Sequence, residues 1–111
     1  MAWVVILFES KRKEKPVEEF IRSKDPSTTA KIVHGIDLLE KYGPVLGMPH
    51  SKKISKNLYE LRIRGKQEVR IIYTFVKSRI YLLHSFKKQS RKTPLKELKI
   101  AEDRLRMLTL I

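Results

Sequence analysis

The 111 residues predict a single α+β domain, residues 1–111, on one small and mostly antiparallel sheet in the order β-αα-βββ-α. Three observations predict it. An unbroken apolar, β-branched run opens the chain. Two proline-initiated stretches of helical periodicity follow. Three strand-like segments joined by tight turns then precede a leucine-striped terminal helix.

Ala2–Phe8 (AWVVILF) has the length of a strand, and its uniform apolarity predicts burial on both faces and hence an interior place in the sheet. Ser10–Lys15 is a charged connector. Pro16 suits the first position of a short helix to Ser23, with Val17, Phe20 and Ile21 on one side. Asp25-Pro26 is an N-cap and first-turn proline, opening a helix that runs toward Tyr42 and stops at Gly43-Pro44. Ile32, Ile36 and Leu39 mark its core stripe, joined by Val33 and Leu38, and the two helices make an αα-hairpin. Residues 43–57, rich in Gly, Pro and Lys, read as a loop.

Leu58–Ile63 alternates, with Tyr59, Leu61 and Ile63 on one face and Glu60 and Arg62 on the other. After a turn at Gly65–Gln67 comes Val69–Val76. Lys77-Ser78 joins it to Arg79–Phe86 in a hairpin that lacks the favoured Gly or Asn. Lys87–Lys92 is a basic loop. Thr93-Pro94 repeats the cap-and-proline start, and Leu95, Leu98, Leu105 and Leu108 stripe the last helix.

Length and composition narrow the function. No Cys is present, which excludes a disulfide scaffold and a thiolate nucleophile. No apolar run approaches the roughly 20 residues of a membrane span. The first residues carry no basic segment ahead of their apolar stretch, so the expected setting is cytoplasmic. The formal charge of +13 is concentrated: residues 51–92 hold 13 basic side chains and 2 acidic ones. Charge of one sign repels itself within a compact fold and attracts polyanions, of which nucleic acid is the expected one.

The basic half has too few carboxylates to cluster around a hard cation, and no glycine-rich phosphate cradle occurs, so neither metal nor cofactor is expected. RNA can be cut without them, because its own 2′-hydroxyl can attack the adjacent phosphorus. The protein must hold the strand in line, accept a proton, stabilise the phosphorane charge and protonate the leaving oxygen. Arginine suits charge stabilisation through its planar fork. Arg62 and Arg70 on adjacent strands are the telling pair, with Arg64 beside them and Lys87, Lys88, Arg91 and Lys92 just past the third strand. Lys52, Lys53 and Lys66 add loop cations, and Tyr73 or its aromatic neighbours could stack on a base or lie in the core. Lys, Tyr or His can shift protons where neighbouring cations depress the pKa.

The run LYELRIRGKQEVRIIYTF, then HSFKK, then KTP at a final helix, resembles the RelE/ParE superfamily of type II toxins, in particular its phage-derived HigB-like branch, over roughly residues 3–108. The resemblance implies a RelE-like fold, an mRNA endoribonuclease that blocks translation, commonly on the ribosome, and a cognate antitoxin of helix-turn-helix type. It assigns Arg70 to the transition-state arginine. It aligns Glu60 and Arg62 with a pair of lysines, and Lys87-Lys88 with a basic pair after the last strand. Thr93-Pro94 stands where that family has a late tyrosine, so the resemblance leaves Glu60, or a histidine as in several HigB-type toxins, here His50 or His84, as candidates for proton transfer. Two other classes fit the same features: a ParE-like gyrase inhibitor on this fold, and a basic RNA- or ribosome-binding protein without catalysis.

Overall fold

The computed structural model of the chain describes residues 2–109. A five-stranded sheet has helices on both faces. Its strands are β1 (Val4–Leu7), β2 (Ser51–Ser55), β3 (Leu58–Ile63), β4 (Val69–Val76) and β5 (Arg79–Lys87), in the spatial order β1-β5-β4-β3-β2. The helices are α1 (Pro16–Arg22), α2 (Pro26–Tyr42) and α3 (Leu95–Thr109). The expected α+β class and the β3-β4-β5 antiparallel meander are borne out.

Two expectations are corrected. Ala2–Phe8 contributes an edge strand, not an interior one: β1 pairs in parallel with β5 alone, and Val4 is 55% exposed. The apolar run reflects cover along one face and, on the other, at its far end only. Trp3, Val5 and Leu7 pack with α1 and α2, while Phe8 joins the α3 side. The loop expected over residues 43–57 contains the strand β2, which pairs antiparallel with β3 through Ser51↔Leu61, Lys52↔Glu60 and Lys53↔Tyr59. Its lysines obscure it, as they do on many edge strands, where charge blocks pairing with foreign strands.

The core is split by the sheet. On one face Leu61, Ile63, Ile71, Tyr73, Ile80 and Leu82 pack against Val17, Ile32 and Leu39 of the αα-hairpin. On the other face Leu58, Ile72, Leu83 and Phe86 pack against Ala101, Leu98 and Leu105 of α3. Local chemistry sets the helix ends. The Asp25 carboxylate accepts from the Thr28 N–H and hydroxyl, and Pro26 follows in the first turn. The thioether of Met48 and the backbone of His50 support β3 beyond the end of β2, the His50 carbonyl accepting from Arg62 N–H at 2.8 Å.

A bulge breaks the β4–β5 register: Ile72 faces His84 but Tyr73 faces Leu82. Leu83 is the extra residue, and Leu83 and His84 both turn toward α3 while Leu82 stays on the hairpin face.

Gly43 closes α2 at φ +51°, donating its N–H to the Leu39 carbonyl, and the Trp3 indole occupies the space that a side chain there would need. Gly43→Ala is therefore expected to destabilise by more than about 1 kcal/mol. Gly47 has open space where a methyl group would sit, so it should tolerate Ala with little change. Urea midpoints of the two variants check the contrast.

Candidate functional site

On the α3 face the sheet leaves a polar recess. Its floor is Glu60 and Arg62 of β3 with Arg70 of β4. One wall is Lys52, Lys53 and Ile54 of β2, the other is Arg91, Lys92 and Thr93 of the loop before α3, and Leu98 closes it. The register explains the convergence. Arg62 and Arg70 are directly opposite, as are Lys52 and Glu60, so all four side chains leave the same face. Five cations thus share the recess with a single carboxylate, while Lys53, which also borders it, pairs with Tyr59 and sends its ammonium over that ring, 6.0 Å from its centre, on the hairpin side.

Arg62 opposite Arg70 opposes packing logic, since like charges facing across strands destabilise a sheet. Arg70 is 2% exposed. Its Nε lies 3.5 Å from Glu60 Oε1, its Nη2 lies 3.6 Å from Glu68 Oε2, and its Nη1 donates to the Val69 carbonyl at 3.2 Å. Burial pushes the Arg70 guanidinium down from its ordinary range, Glu60 counters this, and the neighbouring Arg62 adds to it. Arg62 Nε and Arg70 Nη2 are buried without a hydrogen-bond acceptor. Arg62 Nη1 donates to the Met48 thioether at 3.4 Å, a weak acceptor.

Glu60 is fixed through both oxygens. Oε1 faces Arg70, and Oε2 accepts from the Thr93 hydroxyl at 2.6 Å. The sequence pattern marks Thr93 only as a helix cap. The isolated carboxylate among cations is the signal that it needs a partner. Glu68 also falls outside the expected set. It bridges Arg70 and Lys88, with Lys88 Nζ at 3.3 Å, and the Lys88 amide donates to its carbonyl. Lys88 holds the Glu68 carboxyl below its ordinary range.

The recess therefore gathers Lys52, Glu60, Arg62, Arg70, Arg91 and Lys92, with Lys53 at its border turned toward Tyr59 and Lys88 behind Arg70. Lys66 and Lys87 lie outside it. Arg64, which is exposed, lines a separate apolar groove against α2 with His34, His50, Leu38 and Ile63, and Arg62 borders both. Tyr73 is turned the other way. At 1% exposure it lies in the hairpin core, its hydroxyl bonded to Ser51, with no ring face open to a base.

His84 also stands apart, because the bulge sends it beneath α3. Ile72 separates it from Glu60, two strands away, roughly 9–10 Å across the sheet. Its Nε2 is 2.9 Å from Glu97 Oε1, and Arg104 Nη1 is 3.3 Å from its Nδ1. Since arginine only donates, Nδ1 must accept, and the ring is the neutral Nε2–H tautomer giving its proton to Glu97. Burial lowers the pKa of His84, with Glu97 opposing the shift.

Residues 19–106 match the family model described as Phage derived protein Gp49-like (DUF891). No curated protein matches the chain. Among the described residues no helix is long and apolar enough to cross a membrane.

The His84 cluster predicts a pH dependence. The folded state depresses this pKa below the ordinary 6.5, so below that pH the unfolded chain binds the extra proton. Stability should therefore be complete above about pH 6.5 and fall on acidification through the window beneath it, above the carboxylate range. His84→Gln should flatten that step. Urea unfolding between about pH 8 and pH 5 checks it.

Proposed function

We propose that this chain, which belongs to the Gp49-like phage-derived protein family, is a toxin of the RelE-related, HigB-like kind that cuts mRNA without a metal. The carrying observation is the pair of register-opposed arginines with orphaned buried N–H groups, set with Glu60 among lysines. A fold tolerates such a pair when an anion completes it: a phosphodiester supplies the acceptor oxygens Arg62 lacks and offsets the charge of Arg70 enclosed beneath.

In this reading the RNA backbone crosses the recess between the β2 lysines and the Arg91–Lys92 wall. Glu60 accepts the proton of the 2′-hydroxyl as the 2′-oxygen bonds to phosphorus. The bond from phosphorus to the 5′-oxygen breaks, leaving a 2′,3′-cyclic phosphate and a 5′-hydroxyl. The departing oxygen takes its proton from an ammonium of the walls, Lys52 or Lys92. Arg62, held otherwise by a thioether, contacts the phosphoryl oxygens. Arg70, enclosed beneath, adds positive field in a low-dielectric setting and anchors Glu60. Ribosome dependence suits a surface whose excess charge exceeds what one short strand requires. Neutralisation by an antitoxin, expected to carry a helix-turn-helix domain, would use an acidic segment over the same recess.

The two arginines should separate by experiment. Arg62→Ala is expected to lose about a hundred- to a thousandfold in cleavage rate, while its melting point holds or rises because a repulsion is removed. Arg70→Ala is expected to lose activity together with about 3–5 kcal/mol of stability, since Glu60 is left buried without its cation. Mapping mRNA 5′ ends after brief induction, beside thermal melts, tests both. Codon-associated cuts that vanish with Arg62→Ala support the reading. Intact mRNA with a DNA-damage response would favour gyrase inhibition, and intact mRNA without one would favour binding alone.

A further inference from the structure

We propose that Thr93 is a positioning residue of the recess: its hydroxyl fixes the orientation of the Glu60 carboxylate and ties the Arg91–Lys92 loop to the sheet. This rests on the reading of Glu60 as proton acceptor. A glutamate on a strand turns freely about its terminal torsion, so a base that must meet one hydroxyl needs both oxygens held. Arg70 Nε lies near Oε1 at 3.5 Å, a loose contact. The Thr93 hydroxyl gives Oε2 the shorter one, at 2.6 Å, across 33 residues of sequence. A hydroxyl has one proton to donate, and here it goes to Glu60.

The same bond sets the loop. Ser90 Oγ donates to the Lys92 carbonyl at 2.8 Å, which stiffens the loop internally but does not attach it. Thr93, the residue after Lys92, is the one bonded to β3. Pro94 follows, its carbonyl accepting from Glu97 and Leu98 N–H groups as α3 begins. The helix is thus started by proline geometry and backbone bonds, and the threonine hydroxyl is left to the carboxylate.

The test is single-turnover cleavage of RNA on programmed ribosomes by the full chain, with Thr93→Val, Thr93→Ser and Thr93→Ala, each also in a Glu60→Gln background. Thr93→Val keeps the shape and removes the donor. It should slow the cleavage step about tenfold to a hundredfold with half-saturation unchanged. Thr93→Ser should restore the rate, and neither change should slow Glu60→Gln further. Thr93→Ala repeats the comparison should the valine variant fold poorly. If Thr93→Val cleaves like wild type, if Thr93→Ser is as slow as Thr93→Val, or if the effect persists without the Glu60 carboxylate, the positioning role is overturned while the nuclease reading stands. If the wild type cleaves no RNA, the nuclease reading falls and takes this role with it.

Discussion

Arg62 and Arg70 face each other across two central strands, and that opposition governs the rest of the α3 face. A like-charged pair is tolerable there only because carboxylates surround it: Glu60 on one side of Arg70, Glu68 on the other, with Lys88 balancing Glu68 in turn. Glu60 holds a position that a core would otherwise fill with an apolar side chain. The network still leaves an N–H of each arginine without an acceptor. Buried polar groups are rarely left so, and functional sites are where proteins retain such costs.

The two-sided architecture makes this possible. The αα-hairpin and the opposite sheet face supply a dry core built from Ile, Leu, Val and Tyr73, whose hydroxyl is met by Ser51. Stability can rest on that half. The α3 half is apolar around Phe8, Leu58, Ile72, Leu83, Phe86 and Ala101, and opens beside them into the charged recess over Glu60, Arg62 and Arg70. There α3 is anchored by Arg104, which donates to the Leu83 carbonyl at 2.8 Å, and by the His84–Glu97 bond. The acid-sensitive cluster and the proposed chemistry therefore share a face but not a contact.

Much of this was legible from residues. Alternation in LYELRI announced which side chains leave which face, and the short turn to VRIIYTFV brought Arg62 beside Arg70. Proline and aspartate starts marked α1 and α2 correctly. What escaped had physical causes. β2 carries lysines and one buried Ser51, so its pairing shows only against β3. β1 is apolar because the αα-hairpin covers one face and α3 meets Phe8 on the other, which says nothing about its edges. The extra residue at Leu83 breaks the strand's two-residue alternation, so His84 leaves the hairpin face that Leu82 keeps. Thr93 looked like a cap because caps and carboxylate donors use the same hydroxyl. Tyr73 looked available because aromatic residues serve cores and bases alike.

If the opposed arginines await a phosphodiester, their own N–H groups must report its arrival. The most direct measurement is the NMR spectrum of arginine Nε–Hε and Nη–Hη groups during titration with a short 2′-O-methyl RNA, which binds without being cut. The Arg62 and Arg70 resonances should shift and exchange more slowly with water, while Arg79, at the far hairpin end of β5, stays unmoved. Shifts confined to exposed arginines, with Arg62 and Arg70 unchanged at saturation, would contradict the assignment.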